Sequence, residues 1–280
     1  MKRPLVVLCL LGLVVTACGV ADPMGPDSTP VAVHIPSAAD MNWNGFRVHL
    51  DPTVLVWADE TQVDLRSVVR SALERIEQRL HGPPTSISIQ AGSYWTIPDI
   101  GIGGDADRRT GEVKVSMDAR RVVHVERLLR VWVPVALAHE LHHSMRIVKG
   151  PGYGSTLLDA MITEGSAEAF VRETYPAAPA IPWVSPLPAP AERAVWRRAQ
   201  SVLSAPDDIE LHQQWFVGGE SLPQWPGYRI GYEIAERYLA RHPRATAAQL
   251  ATLTAKQIFK DSGFAQAMSA PAIARRAGRT

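Results

Sequence analysis

The sequence predicts an α+β fold: a small N-terminal sheet, a helix that carries paired histidines, and a mainly helical C-terminal lobe. Three patterns point there. Ser86–Gln90 and Glu112–Met117 alternate apolar and polar residues with the period of strands covered on one face. Between them and the start, Leu65, Val69, Leu73, Ile76 and Leu80 recur at three or four, as on a helix face. From Val131 onward the periodic segments are helical.

In chain order, Met1-Lys2-Arg3, an apolar run from Leu5 to Val15, and Val15-Thr16-Ala17-Cys18 resemble a bacterial lipoprotein signal. The run is too short for an ordinary spanning helix. Residues 1–17 are expected to be removed and Cys18 lipidated, which holds the chain to a membrane of the cell envelope on its extracytoplasmic side. A short uncleaved anchor is the alternative, with the same side of the membrane. Cys9 falls inside the signal, so the mature chain has one cysteine and no intramolecular disulfide.

Residues 18–39, rich in proline and small residues, read as a flexible tether. Residues 40–270 are long enough for one enzyme domain with two lobes around a cleft, and 271–280 form a loose tail. A net charge of +1 without an extended basic patch gives no support to nucleic-acid binding.

Within the body, Arg47–Trp57 is expected as a strand, and the Leu65–Leu80 helix ends at Gly82-Pro83-Pro84. The glycines at 101, 103, 104 and 111 read as a loop before the 112–117 strand. That strand is placed at the sheet edge, as a rail for an extended peptide. No glycine pattern there suits a phosphate.

The segment VWVPVALAHELHHSM, residues 131–145, reads as a buried helix with Pro134 in its first turn and Val135, Ala138, Leu141, His142 and Met145 on one stripe. It contains H-E-x-x-H. His139 and His143, four apart, put two imidazoles on one face, while Glu140 points to the open side, where it can take a proton from a metal-bound water. The bland alternative is a core helix whose histidines are satisfied by carbonyls. After a turn at Gly150-Pro151-Gly152-Tyr153-Gly154, Thr156 caps a second helix with Glu164 and Glu168 one turn apart. One of these can bind a metal while the other accepts the outer N–H of a ligating histidine, Glu164 being the better ligand. The alternative is an exposed acidic stripe continued by Glu173.

Beyond it, YPAAPAIPWVSPLPAP forbids regular helix and reads as a semi-rigid loop, either a cap on the cleft or a plain connection. Helices follow at about 189–204, 228–242 and 246–260, and the eight tryptophans read as packing anchors. Gly227-Tyr228 and Gly231-Tyr232 repeat at four. One hydroxyl, Tyr228 first and Tyr232 second, is a candidate to stabilise an oxyanion; ordinary core tyrosines are the alternative.

Taken together, HELHH, then LLDAMITEGSAEAF, then PGYRIGYEIAERYL at 226–239 resembles the DUF2268 group of predicted zinc-dependent proteases, with its HExxH, EGxAExF and GYxxGY motifs in order over roughly 60–240. Ser166 departs from that pattern, where leucine is more common. The resemblance implies a zincin-like, gluzincin-type fold, with Glu164 in the third-ligand position beside His139 and His143 and Glu168 one turn on. One Zn2+ is implied. The expected activity is hydrolysis of a peptide or protein substrate by a zinc-bound water with Glu140 as general base. Cobalt or manganese suit the same ligands in vitro. A lipoprotein that binds zinc or a protein without catalysis, or a hydrolase of non-peptide amides, remains open at this stage.

Overall fold

A computed structural model describes residues 39–269 except 83–84, 94–95, 99, 122–123, 180 and 220–221. The signal, Cys18, the tether up to residue 38, the tail, Trp95 and the two prolines after Gly82 lie outside the described residues.

The sheet begins with a hairpin. Strands β1 (Ala39–Trp43) and β2 (Phe46–Leu50) are joined by Asn44 and Gly45, at φ 45° and 88°, the Asn-Gly pair that a tight two-residue hairpin turn requires. Strand β2 runs parallel to β3 (Ser86–Ala91), and β3 parallel to β5 (Val113–Met117). Strand β4 (Ile102–Ala106) closes the order β1-β2-β3-β5-β4 by pairing antiparallel with β5. Val48, Leu50, Ile87, Ile89, Val113 and Val115 face the core at 2% exposure or less, while Arg47, His49, Ser86, Ser88 and Lys114 line the other face. This is the alternation that a half-covered sheet needs.

Two expectations about this sheet are corrected. The strand foreseen to Trp57 stops at Leu50. Asp51 accepts a hydrogen bond from Thr53 N at 2.8 Å, Pro52 fills the first turn, and helix α1 (Pro52–Glu60) buries Val54, Leu55 and Ala58. Of the glycines read as a loop, Gly103 and Gly104 instead lie in strand β4, so the edge strand is β4 and the 112–117 strand is interior. Glycine is used because the strand lies against a helix: a Cβ at Gly104 would sit 2.6 Å from the Glu140 carboxyl carbon. The β4–β5 turn is held by Asp107, whose Oδ1 accepts from Arg109 N and Thr110 N at 2.9 and 2.8 Å.

Helix α2 (Leu65–Glu77), capped by Asp64, turns Leu65, Val69, Ala72, Leu73 and Ile76 inward. Past a short turn, α3 (Val125–Arg127), the chain makes a π-helical turn at Leu128–Trp132 before α4 (Val133–Lys149). Pro134 has no N–H to donate, and the wider turn ahead of it, with Val133 N donating to Leu128 O, accommodates that loss. Helix α5 (Leu157–Thr174) starts at a reciprocal cap between Thr156 and Asp159.

Then come α6 (Ala189–Gln200), α7 (Ile209–Phe216) and α8 (Pro226–Arg241). The single helix expected at 246–260 is broken into a 3-10 turn (Ala247–Thr252) and α9 (Ala255–Ser262), followed by α10 (Phe264–Ser269). The break falls where Thr254 caps α9 and where buried Arg146 donates to the carbonyls of Leu250 and Leu253 at 3.1 and 2.8 Å. Among the described residues no helix is long and apolar enough to cross a membrane.

Helices α5 and α8 touch backbone to backbone. A Cβ on Gly165 would overlap the carbonyl carbon of Gly231, and one on Gly231 would overlap the carbonyl oxygen of Met161. This contact packs α8 directly on the backbone of α5 at Met161 and Gly165. Trp183, Trp196 and Trp215 are buried and Trp43, Trp57, Trp132 and Trp225 partly so.

Candidate metal centre

The histidine pair sits midway along α4 where that helix faces α5. His139 and His143 rings meet edge to face, with centroids 4.6 Å apart. From α5, Glu164 extends one oxygen between them: its Oε2 is 3.1 Å from His139 Nε2 and 3.4 Å from His143 Nε2. Donors held about 2.0–2.2 Å from one tetrahedral ion stand roughly 3.4 Å apart. All three ligand atoms lie within 4.8 Å of one another. Two imidazole nitrogens and a carboxylate oxygen, converging and nearly dry, fit a zinc ion.

Glu168 stands one turn further along α5, 1% exposed, and its Oε1 accepts from His139 Nδ1 at 3.1 Å. With a metal bound, that bond would keep the ring proton on Nδ1 and leave Nε2 to face the ion. Burial opposes charge on His139, but Glu164 and Glu168 outweigh it and raise its pKa well above 6.5. In Glu164 burial is likewise overcome, here by His143 and His139, and the carboxyl is held well below 4.5. Of the acidic stripe considered from sequence, Glu164 and Glu168 are therefore interior. Its continuation, Glu173, caps the 3-10 turn by accepting from Ala247 N at 2.8 Å.

Glu140 is buried at 6% exposure against β4, next to Gly104, and is not one of the three converging groups. Burial raises its pKa to about 7, against the lowering pull of His139 and His143. The remaining histidine of HELHH turns away. His142 donates from Nε2 to Ala247 O at 3.2 Å, and burial keeps its pKa well below 6.5, so it is a neutral core residue.

The two tyrosines of α8 part company. Tyr228 packs between Trp183 and Phe216, with ring centroids at 5.4 and 5.1 Å. Its phenol is held protonated by burial and then by the charges of Glu164, Glu140 and Glu168. Tyr232 responds first to burial and then to Glu236, and its pKa is pushed up to about 12. Entry into α8 is through Trp225, which takes a left-handed conformation (φ 55°) ahead of Pro226, uncommon for so bulky a residue. The proline-rich stretch rests on this helix: Trp183 meets Trp225 edge to face at 5.5 Å, and Arg229 donates to Ser185 O.

One residue of the centre was read only as part of a turn. Tyr153 donates from its hydroxyl to Glu164 Oε1 at 2.7 Å, and its ring lies 6.0 Å from that of His143. The only signal in the sequence is an aromatic residue set among the glycines of GPGYG between the two ligand helices.

The family model described as Predicted Zn-dependent protease (DUF2268) matches residues 124–260. The matched stretch holds every residue of the centre and none of the sheet. No curated protein matches the chain.

Proposed function

With residues 124–260 matching a family of predicted zinc-dependent proteases, we propose that the protein is a gluzincin-type zinc metallopeptidase on a zincin-like scaffold. In this reading it is tethered outside the cytoplasm through Cys18 and uses Glu140 as general base. The observation that carries the reading is the convergence of His139 Nε2, His143 Nε2 and Glu164 Oε2 next to a buried carboxylate outside that set, Glu140.

His139, His143 and Glu164 would hold the metal, and Glu168 fixes the ring of His139. A zinc ion there supplies Lewis acidity and lowers the pKa of water to about 7. Glu140 takes up the proton released by the attacking water and delivers it to the leaving amine. Tyr228 donates a hydrogen bond to the oxyanion that develops on the scissile carbonyl.

The substrate rail moves to β4. Asp118 N donates to Gly101 O and Asp107 N to Glu112 O, both at 2.8 Å, so alternate residues Gly101, Gly103, Asp105 and Asp107 turn their main-chain groups toward β5. Gly104 and Ala106 then present theirs to the open side. Gly104 is also the residue packed on Glu140, so a peptide added to this edge runs past the base. Lipid attachment at Cys18 rests on the lipobox-like sequence at residues 15–18.

The test is zinc-loaded wild type against Glu140→Gln on a broad peptide pool. Hydrolysis by the wild type is expected to drop about 10²–10⁴-fold in the variant, with zinc retained. Equal cleavage by both would remove Glu140 from the mechanism. Zinc in both and cleavage by neither would favour the non-catalytic zinc-binding lipoprotein.

A further inference from the structure

Tyr153 is bound to α5 at two points on neighbouring residues. Its carbonyl accepts from Thr163 Oγ1 at 3.0 Å, and its hydroxyl donates to Glu164 Oε1 at 2.7 Å. Thr163 is fully buried, so the first bond fixes the main chain of the loop at the level of Glu164 and the second fixes the carboxylate. The loop is also tied back to α4. Gly150 N and Gly152 N donate to Arg146 O at 3.1 and 3.0 Å, and Gly152 and Gly154 supply the positive φ angles, 81° and 92°, that so tight a return needs. Over the ring lies the guanidinium of Arg108, 3.9 Å from its centroid, reaching in from the β4–β5 turn.

We propose that Tyr153 is a positioning residue of the metal centre: by occupying Glu164 Oε1 it leaves Oε2 alone to face His139 and His143, so Glu164 binds through one oxygen. The inference rests on the metallopeptidase reading for the presence of a metal but adds a residue to it. A carboxylate has two equivalent oxygens and can grip an ion with both, which would fill the position that water needs. A charge-assisted bond from the phenol makes the two oxygens unequal. Arg108, stacked on the ring, keeps the phenol in place and joins the β4–β5 turn to the loop between α4 and α5.

The experiment compares wild type, Tyr153→Phe and Arg108→Ala, each freed of metal, by zinc affinity in competition with a chelator and by the visible spectrum of the cobalt form. Tyr153→Phe is expected to weaken zinc by about tenfold or more, as loss of a partner to a ligand does. Its cobalt spectrum should lose intensity, as four-coordination gives way to higher coordination when Glu164 turns both oxygens inward. Arg108→Ala, an exposed change that leaves the fold intact, should shift both readouts the same way by less. An unchanged cobalt spectrum in both variants overturns the inference even if zinc affinity falls, because a merely structural tyrosine would not alter coordination. Failure of the wild type to bind zinc would overturn the metal reading and the inference with it, whereas wild-type binding with unaltered variants sinks the inference alone.

Discussion

The sheet layer and the α4–α5 interface are buried equally well and by opposite physics. Inside the sheet, Leu50, Ile89 and Val115 are 0% exposed and wholly aliphatic. Between the helices, Glu140, His143, Glu164 and Glu168 are all at 7% or less. Burying the first set stabilises the fold in proportion to apolar area. Burying the second costs solvation that pairing returns only in part. The chain therefore separates the part that supplies stability from the part that costs it; Gly104 lets the edge strand approach Glu140, and Gly165 and Gly231 let α8 approach the ligand helix α5.

The sharpest way to break this contrast is to cut into the sheet. Ile89→Ala on the central β3 strand should cost about 2–5 kcal/mol of folding stability, read by denaturant titration. Zinc affinity of the folded fraction should stay unchanged; an affinity that fell in step would show that the two regions are not separate. A change where α8 packs on α5 should touch both stability and the centre. In Gly231→Ala the new methyl meets the Met161 carbonyl, which is backbone and cannot swing aside, so about 1–3 kcal/mol of stability is lost. As α8 is pushed off α5, Tyr228 moves with it and kcat falls; a variant with wild-type melting and turnover would refute the close-contact account. The smallest effect is expected inside the centre, from Glu168→Gln. Zinc affinity should drop about tenfold, ~1.4 kcal/mol, through loss of the charged partner of His139. The metal-free protein should be no less stable, since a buried charge has gone, and a large loss of metal-free stability would count against the division of roles.

The same contrast explains what could be read from sequence. The ligand helices were legible because four-residue spacing on a helix is a geometric statement: His139/His143 and Glu164/Glu168 lie on shared faces once α4 and α5 exist. Strand β4 was not, because alternation is written in side chains and Gly103 and Gly104 have none. In α1, Val54-Leu55-Val56-Trp57 has the composition of a strand, and only Asp51-Pro52 ahead of it announces a helix start. Tyr153 was hidden for a different reason. Its role comes from a loop folding back on Thr163 and Glu164, a contact through space that no local period records.

The central claim is that His139, His143 and Glu164 form one zinc site, and metal content after dialysis, measured on wild type and His143→Ala together, tests it most directly. The account predicts one zinc per wild-type chain and near-complete loss in the variant, with the folded structure retained. No stoichiometric zinc in the wild type, or zinc held equally by His143→Ala, would contradict it.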